Sequence, residues 1–134
     1  MRKNGFTFIE LLVVITIIAV VFAAGVVSYT TISKNSRNAR RSADMEAIRQ
    51  ALEMCRSIAG RYPASIYPAS ESIVCNDTAL TVTMKTTPLD PKYDSTLTGC
   101  LVDKKYVYVY TAATGTYTLT AYCYEGGSVS VTNP

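Results

Sequence analysis

Residues 6–27 read FTFIELLVVITIIAVVFAAGVV. From Leu11 to Ser33 there is no charged residue, and the heart of the stretch, Leu11 to Val27, is almost wholly aliphatic. A hydrocarbon core is crossed by about 20 helical residues at roughly 1.5 Å rise each. Residues 6–33 meet that length, so they read as a membrane-spanning helix. Everything after Lys34 has ordinary soluble character. The aromatic residues divide the same way: Phe6, Phe8 and Phe22 are the only phenylalanines, whereas nine of the ten tyrosines lie beyond residue 60. The sequence therefore describes a membrane-anchored or membrane-derived chain with one head.

Its 134 residues suit a single such head, and the 17% charged content is below the roughly 25% of soluble domains. With 49% hydrophobic residues the chain is too apolar to be disordered. There is no histidine, which excludes serine–histidine and cysteine–histidine nucleophile systems and zinc sites that need imidazole. No enzyme activity is expected. A net charge of +3 is too small and too scattered to indicate a nucleic-acid partner.

An ordinary secretory signal is the first alternative. Arg2 and Lys3 make a basic start, and Val21-Phe22-Ala23 could pass as a cleavage site. The apolar run is too long for a signal, however, and it continues past Ala23. Glu10 also sits inside it. A carboxylate at the centre of a membrane helix costs roughly 2.5–3.5 kcal/mol, less towards the interface. A simple signal peptide gains nothing from that.

The residues around Glu10 carry a resemblance. Gly5-Phe6-Thr7-Phe8-Ile9-Glu10-Leu11-Leu12-Val13-Val14, behind a short basic leader, resembles the N-terminal processing motif of type IV pilins and type II secretion pseudopilins. The resemblance implies that a prepilin peptidase cuts between Gly5 and Phe6 and N-methylates Phe6. It also implies that the new amine lies near Glu10 of a neighbouring copy within a filament. A lone carboxylate and a lone ammonium are each costly in an apolar core, and pairing them relieves both only at one axial offset. Glu10 is thus expected to set register during assembly. The implied partners are copies of the chain itself, the peptidase, an inner-membrane assembly platform, and the membrane before assembly.

Orientation is contested within the sequence. Arg2 and Lys3 precede the span, while Lys34, Arg37, Arg40 and Arg41 follow it, so a basic-residue count alone places the head in the cytoplasm. The resemblance and the cysteines point to a head outside the cytoplasm, which is the expectation adopted, with a pilus or pseudopilus outside the cell after assembly.

The helix continues beyond the span. Between Ile32 and Ala59 there is neither proline nor glycine, and Met45, Ile48, Leu52, Cys55 and Ala59 recur at helical spacing. That stripe is expected to pack on the head. Arg40, Asp44, Arg49, Glu53 and Arg56 lie opposite, with Arg40–Asp44 and Arg49–Glu53 expected as (i, i+4) pairs. Gly60 and Pro63 mark the stop. Phe6 to Ala59 would be about 80 Å of helix. Its weak segment is expected at Gly25 to Ser33, rich in glycine and hydroxyl residues. The cluster Arg37, Arg40 and Arg41 is read as a solvated face or a subunit contact rather than a lipid or DNA site. The expected divisions are a leader at 1–5, a transmembrane and filament-core helix at 6–33, its amphipathic half at 34–59 and a head at 60–134.

The head reads as a loop, Arg61 to Ser72, followed by strands. Ala79 to Met84 is a candidate first strand, and Pro88-Leu89-Asp90-Pro91 a rigid turn. Lys105–Thr111 and Thr116–Tyr124 alternate strongly and are joined by Ala112 to Gly115, a hairpin signal. Tyr117, Leu119, Ala121 and Cys123 share the face expected to press on the helix stripe. The fold class expected is α+β: a long N-terminal helix, membrane-spanning in its first half, packed by its second half on a small antiparallel sheet. That order, with Gly60-Arg61-Tyr62-Pro63 and the Pro88 turn before a hairpin, resembles the major pseudopilin of type II secretion and similar minimal pilins.

Those pseudopilins hold Ca²⁺ with acidic residues in a late loop. Here only Asp90, Asp94 and Asp103 stand near such a loop, and their spacing matches no ligand pattern; a solvated loop is the preferred reading and no metal ligand is assigned. Cys55, Cys75, Cys100 and Cys123 are an even set beyond the span, which suggests two disulfides in an exported head, with three pairings open. The alternative is free buried thiols in a cytosolic head. The resemblance suggests Cys55–Cys75 and Cys100–Cys123, the second like the C-terminal disulfide loop of many pilins. Tyr106, Tyr108, Tyr110, Tyr122 and Tyr124 are read as sheet residues in preference to an adhesive surface. The function expected is a structural subunit of a type IV pilus-like filament. The major pseudopilin of a secretion or DNA-uptake system is the alternative, and a singly anchored extracellular binding protein is the competing class.

Overall fold

The computed structural model describes residues 5–67, 71–75 and 78–133, with Val27 and Ser28 described by their backbone alone. Four of the five leader residues, Arg2 and Lys3 among them, lie outside the described residues, as does Pro68 of the expected loop. The chain is α+β. Helix α1 (Phe8–Ala59) is followed by β1 (Ile73–Val74), β2 (Val82–Met84), β3 (Val107–Thr111), β4 (Thr116–Ala121) and β5 (Val129–Thr132). β1 and β2 pair antiparallel, and β3-β4-β5 form a second antiparallel sheet with β4 in the middle. By contacts the chain divides into two units, Met1–Ser36 and Arg37–Pro134.

In the first unit the described apolar side chains between Phe6 and Ile32 are exposed on every side of the helix. The helix is long and apolar enough to cross a membrane, and its most apolar window buries nothing against the protein. It runs unbroken through Gly25 to Ser33, the segment expected to be weak. Poor formers cost only a few tenths of a kcal/mol each, about 1 for glycine, which does not outweigh a continuous hydrogen-bond ladder. Within the apolar run, the Thr16 hydroxyl donates to the Val13 carbonyl at 2.8 Å, so this hydroxyl is not left as a bare donor among apolar side chains.

The second unit holds the core. Met45, Ile48, Leu52 and Cys55 of the helix stripe are buried together with Tyr117, Leu119 and Ala121 of β4, as the two periodicities predict. Each fully buried Leu or Ile contributes about 1.5–3 kcal/mol by leaving water. β4 is buried most deeply because it is paired on both edges and covered on one face. Gly60 ends the helix with φ +70°, its N–H donating to the Arg56 carbonyl at 2.9 Å, a left-handed C′ position that favours glycine.

Strand boundaries differ from the expectation where side chains intervene. The strand expected over Lys105–Thr111 begins at Val107, because the Tyr106 N–H donates to the Tyr67 hydroxyl. The strand expected over Thr116–Tyr124 ends at Ala121; Cys123 is bridged to Cys100, and the Glu125 N–H donates to Asn38 Oδ1. The strand expected over Ala79–Met84 forms only over Val82–Met84. β1 and β5 were not expected, since two and four residues are too few to establish a period. The chain reaches β5 through Gly126 and Gly127, at φ +110° and +132°, a region open to glycine.

The cysteines are joined as Cys55–Cys75 and Cys100–Cys123. The first ties the helix to the residue after β1. The second ties the long loop before β3 to the segment after β4. At separations of 20 and 23 residues each contributes about 3 kcal/mol in the chain-entropy account.

Candidate assembly site

The helix start is built by a reciprocal pair of side chains. Thr7 precedes the first helical residue, and Glu10 follows it by three positions, the spacing of a capping box. The Glu10 N–H donates to Thr7 Oγ1 at 3.3 Å. In return the Thr7 N–H and the Thr7 hydroxyl both donate to Glu10 Oε2 at 2.7 Å. Two orphan donors of the first turn are thereby satisfied, and a carboxylate stands at the positive end of the helix dipole. Both returned bonds fall on one oxygen; Oε1 receives none among the described residues. Phe6, Ile9, Glu10, Val13 and Val14 line an open apolar hollow of about 340 Å³.

Sequence reasoning gave Glu10 an intermolecular role and missed this intramolecular one. The signal was present: a threonine, two residues, then a glutamate ahead of an apolar run. Gly5 and Phe6 precede the helix, both exposed.

The Arg37, Arg40 and Arg41 cluster does not form a single solvated face. Arg40 is exposed, Arg37 pairs with Glu125, and Arg41 is 1% exposed. Its Nε and Nη2 donate to Asp90 Oδ2 and Oδ1 at 2.7 and 2.8 Å, a bidentate fork. Positions 37, 40 and 41 fall within about 100° on one side of the helix, and what separates them is the loops they meet: Arg37 and Arg41 find Glu125 and Asp90, whereas Arg40 stays exposed. Arg41 extends the buried stripe by one step, four residues before Met45, and that periodicity could have revealed it. Asp90, expected in a solvated loop, is 3% exposed for the same reason.

The ion pairs expected along the outer helix face are also replaced. Arg49 pairs with Glu46 rather than Glu53, and its hydrogen bonds pull the Glu46 carboxyl down to about 2. Asp44 accepts the Tyr106 hydroxyl at 2.9 Å, and Glu53 accepts the Tyr62 hydroxyl at 2.8 Å. Tyr108 and Tyr67 donate to the carbonyls of Pro63 and Pro88. The tyrosines thus latch helix, loop and sheet to one another. Burial pushes Tyr67 up to about 12, and raises Tyr106 and Tyr108 still further.

The prokaryotic N-terminal methylation motif family matches residues 1–26. Nothing among curated proteins or solved structures matches the chain. That match is the prepilin signature found in type IV pilins and pseudopilins, and the helix that continues from it is long and apolar enough to cross a membrane. The signature implies processing by prepilin peptidase and assembly into a filament.

Proposed function

We propose that the chain is the structural subunit of a type IV pilus-like filament. Prepilin peptidase cuts between Gly5 and Phe6 and N-methylates Phe6; residues 6–33 leave the membrane to form the filament core, and the head stays outside the cytoplasm. The observation that carries this reading is the exposed apolar helix with Glu10 at its start, one oxygen fixed by Thr7 and the other open. Before assembly the cap lessens the cost of a carboxylate beside hydrocarbon. Afterwards Oε1 accepts the amine of a neighbouring Phe6, which pairs two charges that are costly alone. The two disulfides support an oxidising compartment for the head, against the basic-residue count.

Removing Met1 to Gly5 takes Arg2 and Lys3 with it, which lowers the net charge from +3 to +1. The small positive excess therefore belongs mostly to the leader. The mass of the native protein tests the reading: a chain starting at methylated Phe6 is expected, and an intact Met1 terminus would sink it. Glu10→Ala is expected to be cleaved yet to assemble poorly, and a normal filament yield refutes the register argument. Electron microscopy of sheared cells separates long pili from the short filaments of a secretion or DNA-uptake pseudopilin.

A further inference from the structure

The secretion pseudopilins that the chain resembles hold a calcium ion in a late loop, and the described acidic residues after Pro88 do not fit one. Ca²⁺ takes about 6–8 oxygen ligands, several of them carboxylates with lone pairs to spare. Asp90 has little to spare, since three of its about four acceptor sites are taken: Oδ2 accepts from Arg41 Nε, and Oδ1 accepts from both Arg41 Nη2 and the Lys92 N–H, the last at 2.9 Å. Asp94 Oδ1 accepts the Thr96 N–H and hydroxyl at 3.0 and 2.6 Å, closing its own turn. Asp103 pairs with Lys105 at 3.1 Å. Among the described residues, no three acidic or cysteine side chains come together as a metal site. A metal at Asp90 would also face a buried guanidinium, and like charges in a poorly hydrated site repel strongly.

We propose that the Arg41 side chain is itself the cation of this loop, so that the head orders without a divalent metal. The guanidinium does what a bound cation would do. It neutralises Asp90, donates through Nη2 towards the Lys92 carbonyl at 3.5 Å, and through Nη1 to Asn38 Oδ1 at 2.8 Å. Asn38 then holds a second loop, its Nδ2 donating to the Glu125 carbonyl at 2.8 Å and its Oδ1 accepting the Glu125 N–H at 3.1 Å. Arg37 completes the grip on the Glu125 carboxylate. One helical turn, Arg37 to Arg41, therefore clamps the loop at Asp90–Lys92 and the loop at Glu125, and Cys100–Cys123 links the intervening segments covalently. A metal ion stabilises only while its concentration exceeds its dissociation constant. A cation carried on the helix is present at any calcium concentration, and this holds whether or not the chain polymerises.

The test uses the full chain in detergent micelles. Thermal melts in about 2 mM CaCl₂ and in EGTA should agree within about 1 °C, whereas a saturated calcium site would raise Tm by several degrees. Calorimetric titration with CaCl₂ should give no binding heat. Arg41→Lys keeps the charge and loses the fork; Asp90→Asn keeps the shape and loses the carboxylate. Each should lower Tm by about 5 °C or more and speed proteolysis between residues 88 and 105, equally with and without calcium. A calcium-dependent Tm in the unaltered chain overturns the proposal, as does Arg41→Lys melting like the unaltered chain. If neither variant folds, the melts and the titration of the unaltered chain decide.

Discussion

The two parts of α1, before and after the Ser36–Arg37 boundary, are one continuous helix with opposite relations to solvent. Up to Ile32 the described apolar side chains are exposed on every face of the helix; Ile17 is 57% exposed. From Arg41 onward the buried apolar residues form one stripe, with Met54 and Ile58 left exposed beside it, and Leu52 is completely buried. Backbone hydrogen bonding is the same in both. A helix that is apolar all round needs an apolar environment supplied from outside, whereas an amphipathic one finds it in its own tertiary structure. The first part is thus unfinished business for a membrane or for other copies of the chain. The second part is complete in itself.

That contrast can be broken by deletion. Leu52→Ala should cost the head about 2–5 kcal/mol, because it opens a cavity in the core, while Ile17→Ala should leave the head's Tm unchanged. Equal effects in thermal melts would erase the distinction between the two parts. Filament yield should respond in the other sense, falling for Ile17→Ala even though the head is intact.

Alkaline pH sharpens the same contrast through the tyrosines. Tyr67 and Tyr117 are raised by burial to about 12, and Tyr106 and Tyr108 higher still, all above the value near 10 of the unfolded chain. A folded value above the unfolded one means that the unfolded chain releases its protons first. The contribution of these residues is therefore fully present below about pH 10 and is lost as pH rises from there through 12 and beyond. Melts at pH 9 should exceed those at pH 11.5, while the circular dichroism of the apolar helix in micelles should hardly change. A Tm that does not fall across this range counts against the buried latches.

The smallest expected effect separates two tyrosines that look alike in the sequence. The Tyr117 hydroxyl is buried with no hydrogen-bond partner among the described residues. Tyr117→Phe should be neutral or stabilising by up to about 1 kcal/mol, since it removes an unpaired polar group. Tyr106→Phe removes a donor to Asp44 and should destabilise by about 1–2 kcal/mol. The reverse order in denaturant unfolding would show that the hydroxyl latches are misassigned.

Much of the fold is legible in the chain because it rests on periodicity. Met45, Ile48, Leu52 and Cys55 on the helix, and Tyr117, Leu119 and Ala121 on β4, announce their faces by spacing alone. The helix start is legible as well, in Thr7 and Glu10, although the apolar run beside them draws attention to the intermolecular role instead. What was hidden lies where partners are far apart in the sequence. Asp90 looks like a loop acid until Arg41, 49 residues earlier, is brought to it. Arg49 looks like a partner for Glu53 until the Tyr62 hydroxyl claims that carboxylate. β1 and β5 are too short to carry a pattern and exist because neighbouring strands offer them hydrogen bonds.

The sequence by itself determined the long helix, its division into an all-round apolar part and a striped part, the face of β4 that meets the stripe, and the prepilin signature. Each of these is local: it depends on composition over a few turns or on spacing along one element. The tertiary structure alone decided that Arg41 and Asp90 form a buried pair, that Asn38 holds the backbone at Glu125, and which of three possible pairings the cysteines take. Charges, hydroxyls and thiols can satisfy one another in many combinations, and only the packing of the core brings particular partners within hydrogen-bonding or bonding distance.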